Sequence, residues 1–226
     1  MRTAKWMAAA ALVLSAGALA LVGDPSLEDE MAWRHDQLEE TLVSRAVHVD
    51  PAELLGLMHD DLVKLRIVDV RGEADYNLFH LADAERVDCE ELFAGWGEDL
   101  AHDVIVVVVG NDELQAEGAW RMLRARGLSN LYVLAGGLNR WVEIYAHTTP
   151  RPAAAHASVA AAAAANLIPT DTSECLSDEP FAWSLPAALG DRHPVSFPDP
   201  DRAPPREFEP KVQRVTTAPR PGGGCG

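Results

Sequence analysis

The sequence predicts an α/β domain: a central parallel sheet of about five strands, layered between helices on both faces. Three observations carry that prediction. Val104–Val109 is an unbroken β-branched run that ends on Gly110 and the polar turn Asn111-Asp112-Glu113. A continuous apolar run this short marks a strand buried on both faces, as in the middle of a parallel sheet. Between residues 47 and 146, short strand-type runs alternate with helix-type segments, which is the chain order that a parallel sheet with crossover helices requires. Finally, the apolar runs stop at turn-forming glycine or charged residues, and in open α/β sheets the chemistry sits just past such strand ends.

Met1–Val22 reads as a targeting segment. Arg2 and Lys5 precede a stretch from Trp6 to Val22 interrupted only by Ser15 and Gly17. Ala18-Leu19-Ala20 supplies small residues of the kind a signal peptidase cleaves after, and an uncleaved anchor through residues 6–22 is the other reading. In either case the positive end stays inside and the remainder is exported, to a periplasmic or membrane-anchored location. Residues 23–46 read as an acidic helical linker. Ser26 and Asp29 resemble a capping box, and Met31, Leu38, Leu42 and Val43 form a partial apolar stripe that implies loose packing on the domain that follows, or a spacer between it and the membrane.

The strand–helix alternation then begins. Val47–Val49 is a short strand, and Asp50-Pro51 starts a helix through Met58 with Asp50 as its cap. Ile67–Val70 is a buried strand ending in Arg71-Gly72, Glu85–Val87 a weak edge strand, and Val104–Val109 the central one. A helix is expected over Ala116–Arg126, stopped by Gly127. Leu131–Leu134 is the last strand, followed by Gly136-Gly137 and a helix carrying Trp141. Residues 147–226 differ in composition. Thirteen of the 15 prolines lie at or after Pro150, and Ala153–Leu167 holds ten alanines. Few large apolar residues follow, so this segment is expected to be a largely disordered tail.

The formal net charge of -16 argues against nucleic-acid partners, because binding phosphates requires clustered Lys and Arg. Cys89, Cys175 and Cys225 are too few and too scattered for a disulfide framework or a zinc site, and the sequence implies neither metal nor cofactor. In an oxidising compartment Cys175 and Cys225 could pair, or Cys225 could cross-link to a partner.

Asp69-Val70-Arg71, then Tyr76, His80, Leu81 and Ala84, then Glu91-Leu92, resembles the D-V-R, aromatic, G-H-I-x-G-A and E-L stretch of rhodanese-like domains. Leu131–Leu134 with Gly136, Gly137 and Trp141 resembles the family's closing strand, Gly-Gly turn and Trp-bearing helix. The resemblance spans Val47 to Tyr145. It implies a sulfurtransferase fold with a nucleophilic cysteine directly after the central strand, cradled by a six-residue loop of backbone N–H groups. Counted back from Met122-Leu123, that cysteine position falls on Gly110, which has no nucleophile.

The loop itself reads Gly110, Asn111, Asp112, Glu113, Leu114, Gln115. Its two carboxylates disfavour a bound thiolate or phosphate and, as structural residues, are expected to cap the start of the helix; Gly110 is expected to leave a small, acid-flanked pocket. His80, Asp69 and Arg71 are expected to serve the fold. The sequence therefore points to a catalytically silent, exported domain that binds an envelope protein or a small ligand. The competing expectation is thiol chemistry through Cys89, Cys175 or Cys225.

Overall fold

A computed structural model describes residues 26–146, 181–183 and 190–213. The expected targeting segment, the alanine-rich stretch, Cys175 and Cys225 lie outside the described residues. Among the described residues, no helix is long and apolar enough to cross a membrane.

Ser26 caps helix α1 (Leu27–Val43). Its hydroxyl accepts the Asp29 N–H at 3.2 Å, and the Asp29 carboxylate accepts the Ser26 N–H at 3.1 Å, so two orphan donors are satisfied reciprocally. The expected loose packing of this helix is not found. Met31, Leu38 and Leu42 are buried in the core, and Glu39 accepts two hydrogen bonds from Arg121, at 2.6 and 3.1 Å.

Strand β1 (His48–Val49) leads into α2 (Pro51–Met58), where the Asp50 carboxylate accepts the Ala52 N–H at 2.8 Å and proline occupies the first helical turn. Next come β2 (Leu65–Asp69), α3 (Glu73–Leu78), β3 (Ala84–Arg86) and α4 (Cys89–Ala94). Strand β4 (Ile105–Val109), α5 (Glu113–Ala125), β5 (Leu131–Leu134) and α6 (Gly137–Tyr145) complete the layers. Helices α3 and α4 are each six residues long, under two turns, which is too short for a helical apolar period to be recognised in the sequence.

The sheet order is β1-β5-β4-β2-β3 with every pair parallel, so the valine run is the middle strand. Its side chains alternate between two cores. Val106 and Val108 face α1, α4 and α5, whereas Ile105, Val107 and Val109 face α2 and α6. Burial on both sides is what selects a continuous β-branched run over an alternating one. From β2 the chain proceeds outward to β3, and from β4 it proceeds the other way to β5. The loops after β2 and β4 therefore part to opposite faces, and the crevice at their carboxyl ends is the topological switch point.

The tail departs from its expected disorder at residues 190–213. Val195 is buried against α6, and its carbonyl accepts the Trp141 indole N–H at 2.7 Å. Farther along, the Glu53 carboxylate accepts the backbone N–H of Lys211 at 3.0 Å and of Val212 at 2.8 Å. Arg206 pairs with Asp50 at 3.0 Å, and the Gln213 N–H donates to the Tyr132 hydroxyl at 2.9 Å. Composition misses this strap because much of its grip comes from domain side chains acting on the backbone of a few non-proline tail residues, and its own side-chain anchors are few: buried Val195 and the Arg206–Asp50 pair.

Tyr145 packs beneath the strap with its hydroxyl buried and without a hydrogen-bond partner among the described residues. Burial pushes its phenol up to about 12. Because the folded value lies above the ordinary 10.0, the contribution to stability is complete below pH 10.0 and is lost as pH rises through about 12. Tyr145→Phe removes the orphan hydroxyl, so it is expected to leave stability at pH 7 unchanged or raise it by up to about 1 kcal/mol, and to soften the alkaline loss. Urea titrations at pH 7 and pH 11 check this; a loss above about 1 kcal/mol at pH 7 would reveal a partner for the hydroxyl.

Candidate functional site

At the switch point the chain leaves β4 through Gly110, Asn111 and Asp112. The Asp112 carboxylate accepts the N–H groups of Leu114 at 3.0 Å and Gln115 at 3.3 Å, which starts α5 at Glu113 rather than at the expected Ala116. The expected six-residue loop is thus cut to three residues, because Glu113, Leu114 and Gln115 are wound into the helix.

The expected pocket at Gly110 is also absent. The buried Gln115 side chain folds back over it, and its Oε1 accepts the Asn111 N–H at 2.9 Å. A Cβ placed on Gly110 would lie 2.8 Å from the Gln115 Cβ and 3.0 Å from the Asp112 carbonyl oxygen. That volume is filled.

On the other side, α6 closes against the loop. Leu138 N–H donates to the Gly110 carbonyl at 2.9 Å, and Asn139 N–H to the Asn111 carbonyl at 3.1 Å. Gly137, at φ +60°, lets two backbones touch, since a Cβ there would stand 2.6 Å from the Asn111 carbonyl oxygen. An anion cradle needs N–H groups turned toward open space. Here the amides of Asn111, Leu114 and Gln115 are already bonded to side chains of the same loop.

Asn111 ties the two switch-point loops together. Its Oδ1 accepts from Arg71 Nη1 at 3.2 Å, and its Nδ2 donates to Asp75 at 2.6 Å. Arg71 is fully buried and forks onto Asp69, with Nε at 2.9 Å and Nη2 at 2.7 Å, while Nη2 also donates to the Phe79 carbonyl. Bidentate geometry and these added acceptors are what make a buried ion pair tolerable.

The loop carboxylates do not flank a cavity. Asp112 caps the helix, and Glu113 turns outward to Arg45, at 2.7 and 3.0 Å, and to the Gly136 N–H at 2.6 Å. Burial pushes the Glu113 carboxyl up, but the Arg45 guanidinium and the Gly136 amide outweigh it and hold the group below the ordinary 4.5. A lowered folded value means stability that is complete above pH 4.5 and is lost as pH falls through that lowered value. Glu113→Gln is expected to reduce stability at neutral pH and to make the acid limb shallower; guanidinium titrations between pH 3 and pH 7 would refute this by showing an unchanged acid slope.

His48, Glu113 and Glu117 lie close enough to hold a metal ion, their ligand atoms being within 4.8 Å of one another. His48 Nε2 instead contacts Glu117 at 2.9 Å, and Arg45 already spans Glu113. These contacts tie the turn after α1, through Arg45, and β1, through His48, to α5. His80 is away from the loop: it stacks on Tyr76 with centroids 4.0 Å apart, and its Nδ1 lies 2.8 Å from the Tyr76 carbonyl. Gly136 and Gly137 form the turn into α6, and Trp141 is buried beneath the tail strap. Cys89 opens α4, nearly buried and disulfide-bonded, so it is no free thiol.

Sequence reasoning named Gln115 but missed its role. The Asp112-x-x-Gln115 spacing is a capping-box signature, which would have placed the helix start at Glu113 and sent Gln115 back toward the preceding amides. Arg45 and Asp75 had no such signal, since they reach the site only through the tertiary fold.

A rhodanese-like domain family model matches residues 50–144. The solution structure of a rhodanese-like domain from Anabaena sp. is 25% identical, with 50% of this chain and 91% of that chain covered and a TM-score of 0.40. A crystal structure of a rhodanese-like domain from Anabaena sp. is 30% identical over 35% of this chain and 92% of that chain, at a TM-score of 0.33. A rhodanese-related protein from Thermoplasma volcanium is 22% identical over 42% and 90% of the two chains, at 0.37. A search of curated proteins found no match. With the five-stranded parallel sheet, the matched helices and the D-V-R and Gly-Gly turns in place, residues 50–144 of this chain form a rhodanese-like domain.

Proposed function

We propose that this rhodanese-like domain transfers no sulfur and works as a binding or regulatory module in the cell envelope, exported by the segment at residues 1–22. One observation carries the reading: the place where the family resemblance puts a nucleophilic sulfur is Gly110, and the Gln115 side chain fills the adjoining volume. A persulfide there would have no atom to form on, and the amides of Asn111, Leu114 and Gln115 are already bonded to side chains.

The disulfide at Cys89 favours a second reading, sulfurtransfer or thiol-redox chemistry through Cys89, with Cys225 as the other candidate thiol. Thiosulfate:cyanide sulfurtransfer by the purified protein, before and after reduction, separates the two. The expected rate is that of buffer alone in both states. Turnover that disappears in Cys89→Ser or Cys225→Ser would replace the binding reading with the enzymatic one. Mass spectrometry of the mature N-terminus tests export, and an intact Met1 start in protein recovered from the cytoplasm would count against it.

A further inference from the structure

The mouth of the sheet is covered by three tail residues, Phe181, Ala182 and Trp183, whose two rings lie partly buried against the core on the α6 side. Phe181 stacks on Phe79 with centroids 5.9 Å apart and an interplanar angle of 13°, and the Arg71 guanidinium carbon lies 5.5 Å from the centre of the Phe181 ring. The Ala182 backbone N–H donates to Asn139 Oδ1 at 2.8 Å, and the Trp183 indole N–H donates to the Asn139 carbonyl at 3.0 Å. Asn139 is the residue whose own N–H holds the Asn111 carbonyl, so the segment rests one residue away from the loop after β4.

These contacts are of the kind that read a peptide. An aromatic ring is taken by a π face and a cation, a main-chain N–H is taken by a side-chain amide, and an indole is read through its single donor. Aromatic anchors of this type carry most of the affinity in small interfaces. In sequence, residues 147–180 separate the segment from α6, so Phe181–Trp183 comes to this surface from outside the strand–helix layers and packs on their core from the edge.

Building on the binding-module reading, we infer that Phe79, Arg71 and Asn139 form a peptide-docking surface at the sheet mouth. Phe181-Ala182-Trp183 occupies it as a built-in ligand, and a partner protein presenting an aromatic–small–Trp segment takes its place. Exchange shifts the balance between two occupants of one surface; the partner must bind better than the tethered segment to win.

The test uses the full chain with Phe181→Ala and Trp183→Ala, which vacates the surface, beside the wild type. The probe is a fluorescein-labelled peptide of residues 178–186, followed by anisotropy. The vacated variant is expected to bind it saturably, and the wild type at least about tenfold more weakly, because a tethered competitor acts at roughly millimolar effective concentration. A peptide N-methylated at the alanine keeps both rings and loses the donor to Asn139, so its affinity should fall without any change to the protein. Absence of saturable binding to the vacated variant, equal affinities for variant and wild type, or full affinity of the N-methyl peptide would each overturn the proposal. A wild-type dimer that dissociates in the vacated variant, seen by light scattering, would assign the surface to a second copy of this chain and overturn the partner assignment. Sulfurtransfer measured on the same samples addresses the non-catalytic reading alone, and turnover there would leave the peptide result to decide the docking surface.

Discussion

Gly110→Cys is expected to yield no sulfurtransfer and to lower stability by about 1–3 kcal/mol, the usual cost of inserting atoms into a packed site. The new Cβ would meet the Gln115 Cβ at 2.8 Å and the Asp112 carbonyl oxygen at 3.0 Å. Gln115 cannot swing aside without releasing the Asn111 N–H that it holds. Electrostatic repulsion from Asp112 and Glu113 is the lesser obstacle, because both carboxylates are engaged elsewhere, one in capping α5 and one with Arg45. The double change Gly110→Cys with Gln115→Ala relieves the clash and is expected to recover part of the stability, at the expense of one amide without its acceptor. Urea denaturation and thiosulfate-dependent thiocyanate formation read the two effects. Robust turnover from the single change would mean that the loop rearranges freely, contrary to its packing against Gly137.

Arg71→Met is expected to be among the most damaging substitutions in the chain, costing about 3–5 kcal/mol, because it strands the buried Asp69 carboxylate without its cation. Against a typical domain stability of about 5–15 kcal/mol, that loss leaves a large unfolded fraction at moderate temperature. The damage is also local to the switch point. Asn111 loses its donor from Arg71 at 3.2 Å, and the Phe79 carbonyl loses its partner. Adding Asp69→Leu to Arg71→Met removes the stranded charge, so the pair should cost less than the sum of the two single changes. Chemical denaturation of the three variants completes the cycle, and strict additivity would show that Asp69 and Arg71 contribute independently.

The layered fold was legible in the sequence because its signals are local. The valine run, the Asp50-Pro51 helix start, the Ser26 capping box and the Gly136-Gly137 turn each announce an element within a few residues. The site was only half legible. Its position followed from the end of β4, and the shortened loop could have been read from the Asp112-x-x-Gln115 spacing. What Gln115, Arg45 and Asp75 touch depends on how α1, α3 and α5 are brought together, and no local pattern carries that. The strap at residues 190–213 was illegible for a different reason: Glu53, Tyr132 and Trp141 hold its backbone, and the tail's own anchors, Val195 and Arg206, are isolated residues that form no local pattern.

The filled volume beside Gly110 has a consequence for how such a chain can change over generations. A side chain at position 110 and a glutamine folded back from position 115 are mutually exclusive occupants of one space. The two positions therefore form a single heritable unit: either alone can be altered only through a poorly packed intermediate. Among sequences that share this short Asp-capped turn, glutamine at the sixth position after the central strand's end should travel with glycine at the first. A side chain larger than hydrogen at position 110 would therefore require the loss or displacement of that glutamine.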